Sequence, residues 1–124
     1  MNKANFPANL RIKKRDEFQS AFRQGVVAAD GVLVMHAIHA EQGSETRLGI
    51  SIAKRVGNAP QRNYWKRLIR EAFRTQKAEL PAGLMIIVRP KKGAEPDFDS
   101  VKRSLVALAR RVARKLKAEQ QSKK

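Results

Sequence analysis

Apolar side chains recur every three or four positions in three stretches of the chain, and this spacing predicts three helices. The first is short, runs through RDEFQSAFRQ and ends before Gly25, which we expect at the C′ position. The second is expected from about Pro60 to Leu80, with Asn58 as its N-cap. The third begins near Asp97 or Asp99. Its apolar stripe consists of Val101, Leu105, Leu108, Val112 and Leu116, and its other faces are basic.

Other apolar stretches predict strands. VVAADGVLVMHAIHA is β-branched and apolar but is interrupted at Asp30-Gly31, so it forms either one strand or a bent pair. RLGISIA alternates in the manner of a half-buried strand, and LMIIVRP is a continuous apolar run typical of an interior strand. Because these strands interleave with the helices, we predict a small α/β sandwich of one sheet packed by helices.

The length of 124 residues and a hydrophobic content of 42% indicate one folded domain. We place this domain at residues 1–117, including an irregular basic arm at its start, and a frayed basic tail at residues 118–124. The N-terminal sequence lacks the apolar segment of a signal peptide, and the longest apolar runs, VLVM and LMIIV, are too short to span a bilayer. We therefore predict a soluble, cytoplasmic protein.

The charge balance indicates the kind of partner. Lys and Arg number 27 and Asp and Glu number 11, which gives a formal net charge of +16. Such an excess of cations repels itself in a compact fold and is expected where the partner is a polyanion. Nucleic acid is the first candidate. An anionic membrane is the second and is disfavoured, because the apolar faces are needed for a core. The absence of Cys excludes disulfides, cysteine zinc sites and thiol nucleophiles.

The second predicted helix has two different sides. At about 100° per residue, one side carries an apolar stripe centred on Trp65 and the other a broad basic surface, with Tyr64 between them near Glu71. A basic surface of this kind is often merely solvated. Here the cations are expected to be unpaired, because Glu71 is the one acid between Pro60 and Ala78, so we predict contact with nucleic-acid phosphates. The basic surface comprises Asn63, Lys66, Arg67, Arg70, Arg74 and Lys77, and the preceding loop adds Lys54 and Arg55.

Further residues could in principle form a stacking, metal-binding or catalytic site. Phe18 and Phe22 are either core residues or a stacking platform for a single strand. His36 and His39 are three apart in a predicted strand, so they point to opposite faces and form no metal pair. The acids at the start of the last helix are better explained as capping residues than as metal ligands. The residues therefore predict neither a catalytic nor a metal-binding site in this chain.

The segment RLGISIAKRVGNAPQRNYWKRLIREAFR resembles the protein subunit of bacterial ribonuclease P. The resemblance extends to LRIKKRDEFQSAFRQG, to LMIIVRP and to the basic last helix, so it covers nearly the whole chain. The sequence departs from the family pattern at Tyr64, where a second Arg is usual, at Pro60, where an aliphatic residue is usual, and at Met35, where an aromatic residue is common. The matching elements are the strand from Leu48 to Ala53, Lys54-Arg55, the turn Gly57-Asn58-Ala59, Arg62-Asn63, Lys66-Arg67 and Arg70-Glu71.

The resemblance implies a four-stranded sheet packed by three helices, with a left-handed βαβ crossover against the usual rule. It implies a subunit that joins a large catalytic RNA, which with Mg²⁺ removes the 5′ leader of precursor tRNA. The Mg²⁺ would be bound mainly by the RNA, and no protein partner would be required. The leader would be held by Phe18, Phe22 and Met35, and the RNA subunit by Lys54, Arg55, Arg62, Asn63, Lys66, Arg67 and Arg70. The alternative is a structural RNA-binding protein of the ribosomal type.

Overall fold

The computed structural model describes residues 15–40 and 43–122, with the backbone alone described at Arg15, Glu17, Phe18, Ser20 and residues 121–122. The predicted basic arm and the side chain of Phe18 thus lie outside the described residues. The elements are helix α1 (Arg15–Gln24), strands β1 (Val26–Ala29), β2 (Leu33–His39) and β3 (Arg47–Ile50), helix α2 (Ala59–Gln76), strand β4 (Leu84–Pro90) and helix α3 (Phe98–Ser122), with short 3-10 turns at Lys54–Val56 and Lys77–Glu79.

The strands form one mixed sheet in the order β1-β2-β4-β3. The β1–β2 and β2–β4 pairs are antiparallel, whereas β3 runs parallel to β4 and is joined to it through α2. The predicted sheet of four strands with three helices is confirmed for the described residues. The left hand of the crossover stays a prediction from the resemblance.

The interruption at Asp30-Gly31 is a tight turn between β1 and β2, so the bent pair is the correct alternative. The carboxylate of Asp30 accepts hydrogen bonds from the N–H groups of Val32 (2.8 Å) and Leu33 (2.9 Å), and from the Ser104 hydroxyl of α3 (2.7 Å). Burial raises the pKa of Asp30, but these hydrogen bonds outweigh burial and hold the pKa below its usual range. Asp30 thereby links the hairpin to the last helix.

The main core lies on one side of the sheet, beneath α2 and α3. Met35 of β2 and Ile86 and Val88 of β4 are buried there against Phe73 of α2 and Leu105 of α3. On the opposite side of the sheet, α1 makes a smaller cluster in which Ala21 packs with Met85 and Ile87. Because Phe22 and Val27 stay 39% and 45% exposed, α1 leaves part of this second face open.

Helix α3 also protects an edge of the sheet. The Arg111 guanidinium donates a hydrogen bond to the carbonyl of Ala29 (3.0 Å), and the Lys115 ammonium donates one to the carbonyl of Val27. These carbonyls belong to β1, an edge strand, and covering them removes a template for pairing with another chain. The helix continues to Ser122, so residues 118–122 of the predicted frayed tail are helical.

Gly25 marks the end of α1 as predicted, but for a different reason. Gly25 is not among the glycines with positive φ, so the left-handed C′ conformation is not what requires it. A Cβ atom at this position would lie 2.4 Å from the carbonyl oxygens of both Ala21 and Ala37. The residue is therefore needed because the end of α1 passes directly over β2.

We predict that Gly25→Ala destabilises the protein by about 1–3 kcal/mol, the usual cost of overpacking, because backbone atoms of α1 or β2 must move. The free energy of unfolding in urea measures the effect. Gly31→Ala is the matched control, since a Cβ atom at Gly31 meets no atom within 4 Å. Equal stability of the two variants would contradict this account of Gly25.

Candidate nucleic-acid interface

The start of α2 is fixed by a capping box. The side chain of Asn58 accepts a hydrogen bond from the N–H of Gln61 (2.9 Å), and the side chain of Gln61 accepts one from the N–H of Asn58 (2.8 Å). The predicted N-cap is thus confirmed, with Pro60 in the first turn. The Arg62 guanidinium donates to the carbonyl of Gly57 (2.9 Å), which ties the preceding turn to the helix. This arrangement sets the position of the basic loop relative to α2.

The predicted division of α2 into two sides is confirmed. Its buried residues are Trp65, Leu68, Ile69, Ala72 and Phe73. Because these side chains pack against the core, Arg67 and Arg70 are exposed and Lys66 is half-buried at the opposite side. The predicted RNA-binding residues are Lys54, Arg55, Arg62, Asn63, Lys66, Arg67 and Arg70. We call this set of residues the α2 surface. Lys54 and Arg55 are exposed on the 3-10 turn that precedes the helix.

The expectation that the cations of α2 are unpaired is wrong at two positions. Arg74 forms an ion pair with Glu71, and its hydrogen bonds hold the pKa of that carboxyl below the usual range. The Lys77 ammonium lies 3.5 Å from the carboxylate of Glu45, a residue of the β2–β3 connection. In contrast, the cations of the α2 surface form no ion pair with any carboxylate whose side chain the structure describes. Uncompensated charge is therefore concentrated at the start of the helix and in the loop before it.

A cationic cavity of about 400 Å³ adjoins this loop. It lies between the turn after β3 and the loop after β4, and the described residues of its lining contribute cations and no carboxylate. The cations of β4 and its loop were not among the predicted RNA-binding residues, although the sequence RPKK places three cations at the end of a predicted interior strand. We call this space the β4 cavity. Its polar lining includes Ser51, Arg55, Arg89, Lys91 and Lys92.

The placement of Met35 in the leader site is corrected by the structure. Met35 is fully buried in the main core, facing α2 and α3, so it is not available to a ligand. Successive residues of a strand point to opposite faces, and the neighbouring His36 therefore faces α1. Its ring lies 4.6 Å from the ring of Phe22, centroid to centroid. The alternation along β2 places Met35 and His36 on opposite faces, but it does not show which face is the core, because His39 shares the face of Met35.

His36 belongs to a row of side chains that crosses the sheet on the side of α1. Its partners in the neighbouring strands are Val27 and Ile87, which share its face, and Arg89 lies two residues further along β4 on the same face. Burial, and then the positive charge of Arg89, lower the pKa of His36, so the imidazole is neutral at neutral pH. Its Nε2 atom is buried and has no hydrogen-bond partner among the described residues. We call this row, together with Phe22, the α1 cleft.

The described residues form neither a metal-binding cluster nor a membrane-spanning helix. Within residues 15–40 and 43–122, no three His, Asp or Glu side chains are grouped so that they could hold a metal ion. No helix in the same ranges has the length and apolar character needed to cross a membrane.

The α2 surface, the β4 cavity and the α1 cleft together define a class of protein. They combine cations that have no carboxylate partner among the described side chains with an aromatic pair, on a small α+β sandwich, an arrangement typical of proteins that bind a phosphate backbone and unpaired bases.

Comparison with known proteins identifies the family. The sequence model of the family described as Ribonuclease P matches residues 6–113. The chain is 40% identical over 97 residues to the ribonuclease P protein component of Listeria innocua, an alignment covering 77% of this chain and 82% of that protein. The chain therefore belongs to the ribonuclease P family, as its protein component, with that family's subunit role in tRNA 5′ processing.

Solved structures agree with this assignment. The RNase P protein of Thermotoga maritima superposes with a TM-score of 0.75 at 31% identity, covering 82% of this chain and 96% of that chain. The RNase P protein of Staphylococcus aureus gives a TM-score of 0.70 at 33% identity, covering 80% and 91%. The resemblance noted from the sequence is confirmed.

Proposed function

We propose that this protein binds the catalytic RNA of ribonuclease P through the α2 surface and holds the 5′ leader of precursor tRNA in the α1 cleft. The RNA then cuts the phosphodiester bond that joins the leader to the tRNA, in the cytoplasm. The observation that carries the proposal is the set of cations of the α2 surface, which the capping box positions and which form no ion pair with a described carboxylate side chain. Family membership adds the subunit role.

The α2 surface suits a folded RNA because it is rigid and positively charged. Lys66 and Arg70 are one helical turn apart, and the helix that carries them is anchored by Trp65 and Phe73 in the core. Cations held in this way can neutralise successive phosphates and release their counterions without a large loss of side-chain and backbone freedom. Arg62 is partly used inside the protein, since it bonds to Gly57, so it contributes to the shape of the loop as well as to its charge.

The α1 cleft suits a single strand of variable sequence. Phe22 is 39% exposed beside the neutral ring of His36, and stacking on aromatic side chains is tolerant of base identity. His36 thus takes the place that the sequence analysis had given to Met35. The predicted contact of Phe18 with the leader remains a proposal.

The β4 cavity connects the two sites. Arg89 faces the same side of the sheet as His36, and it lines the cavity together with Arg55, which belongs to the α2 surface. A leader that stacks on Phe22 can therefore continue towards the α2 surface with its phosphates next to cations throughout. This continuity would place the junction of leader and tRNA close to the catalytic RNA.

Mg²⁺ is assigned to the RNA subunit. Mg²⁺ prefers carboxylate, carbonyl and phosphate oxygens, whereas the side chains of the α2 surface and the β4 cavity are mainly cations, which repel a metal ion. These residues do not fit a protein-held Mg²⁺ site. Their charge instead reduces repulsion between RNA phosphates, so assembly should need less Mg²⁺.

The direct test of this function is reconstitution with the cognate RNA. We predict that the purified protein alone does not cleave precursor tRNA, and that adding the RNA gives cleavage at the mature 5′ end at a lower Mg²⁺ concentration than the RNA needs by itself. Gel analysis of end-labelled precursor measures both. Cleavage by RNA-free protein would refute the assignment of the chemistry to RNA, and an unchanged Mg²⁺ requirement would refute the role in assembly.

The leader site makes a separate prediction. Phe22→Ala and His36→Ala should each weaken the affinity of the reconstituted enzyme for precursor tRNA by about 1–3 kcal/mol, the usual value of a base–aromatic stack, and leave mature tRNA unaffected. Equilibrium binding of the two tRNAs in a non-cleaving divalent ion gives the comparison. Val27→Ala, in the same cleft, removes apolar area but no ring, so it should weaken the affinity for precursor tRNA less than either ring variant does. If precursor and mature tRNA lost equal affinity in both ring variants, these residues would be structural only.

A further inference from the structure

We propose that α3 presents a second RNA-binding surface, separate from the α2 surface, that binds the phosphate backbone of an RNA duplex. The residues that form it lie along the side of α3 opposite its buried stripe. We call them the α3 row, which comprises Arg103, Arg110, Arg114 and Lys117.

The α3 row is straight and rigid. From Arg103 to Lys117 it extends about 21 Å, at 1.5 Å per residue. The helix beneath it is held by the burial of Leu108, Val112 and Leu116, and on its flank by the bonds of Arg111 and Lys115 to β1. Those last two cations are occupied within the protein, so they act as anchors and the row itself faces outwards.

The charges of the row are almost uncompensated. Arg110 lies 3.6 Å from Glu79, but both side chains are more than half exposed, and a surface pair of this kind contributes little. Hydrogen bonds from Ser100, and then the charge of Arg103, lower the pKa of the exposed Asp97, and solvent screens this interaction too. The members other than Arg110 are exposed and form no ion pair with a described carboxylate side chain. In a chain with a net charge of +16, such a row raises the free energy of the isolated protein through repulsion, and a polyanion would relieve that repulsion.

The row is separated from the α2 surface. Helix α3 packs beside the side of α2 that carries Thr75 and Gln76, and the groove between the two helices is lined in part by Glu79. Arg103 and Arg110 of the row also line this groove. At about 100° per residue, Lys66, Arg67 and Arg70 lie about 100–200° from Trp65, whereas Thr75 lies about 80° from Trp65 in the other direction, so the α2 cations are turned away from α3. A single straight duplex therefore does not follow from one surface to the other.

The chemistry of the row favours a duplex over a single strand. Single strands are held by aromatic stacking as well as by charge. The one aromatic side chain of α3, Phe98, is half-buried, and the Lys102 ammonium lies 5.5 Å from its ring centroid, so the row offers phosphate contacts alone. A rigid line of cations without a stacking ring matches a rigid helical backbone.

The experiment asks whether one protein binds two RNAs at once. The complex with the cognate ribonuclease P RNA is formed first. A labelled RNA duplex of unrelated sequence, longer than the row, is then titrated at several salt concentrations. We expect a ternary complex in which both RNAs are retained. Displacement of the cognate RNA by the duplex, or no duplex binding, would overturn the proposal.

Matched variants locate the second site. Replacing Arg103, Arg114 and Lys117 with Gln should strongly weaken duplex capture, should reduce the magnitude of its salt slope by about 2–3, and should leave the affinity for the cognate RNA unchanged. Replacing Lys66, Arg67 and Arg70 with Gln should have the reverse effect. Neither variant should melt below the wild type, because these positions are outside the core and the loss of cations relieves repulsion. Duplex capture by the α3 variant equal to that of the wild type would mean that the row is only solvated.

If the cognate RNA bound the α2 variant as tightly as the wild type, the proposed function of the α2 surface would fail. The test of the α3 row would remain decisive, because its readout is the duplex.

Discussion

The packing of one side of α2 against the sheet determines where most of the functional groups of this protein lie. Trp65, Ile69 and Phe73 must be buried, and their burial fixes the rotation of the helix about its axis. Since Lys66 and Arg70 occupy the remaining side, they point outwards whatever their own preferences. The capping box between Asn58 and Gln61 then fixes where the helix begins, and so where the basic loop lies. Core formation and display of charge are thus achieved by one helix.

The α1 cleft results from the unequal covering of the two faces of the sheet by the helices. Two of them, α2 and α3, occupy one face, whereas α1 alone lies against the other and leaves part of it open. On such a sheet, a shift of one residue along a strand moves a side chain from the core to the cleft. That is the difference between Met35, which is fully buried, and His36, which packs with Phe22. The unequal covering thus lets a small domain bury a core on one face of its sheet and leave part of the other face accessible.

Local spacing was sufficient to predict the helix α2, its N-cap and its buried side, because capping and helical periodicity depend on residues close in sequence. It also predicted β4 as an interior strand. Contacts between distant segments were not predictable in this way. The sequence does not show that Lys77 meets Glu45, that Arg55 and Arg89 line one cavity, or that Ala37 passes close enough to require Gly25. The error at Met35 had a different origin, since the alternation along β2 places one His on each face and so does not show which face is buried.

The central claim is that the exposed side of α2 docks on the catalytic RNA. Because the chain contains no Cys, a single cysteine at Arg67 can carry a tethered source of hydroxyl radicals, with Ala82→Cys as the control. Ala82 is exposed, and it lies before β4, at the end of that strand opposite the cavity. The account predicts strand cuts clustered in the cognate RNA from the probe at residue 67 and only background from residue 82. Equal cutting from both sites, or none from residue 67, would contradict it.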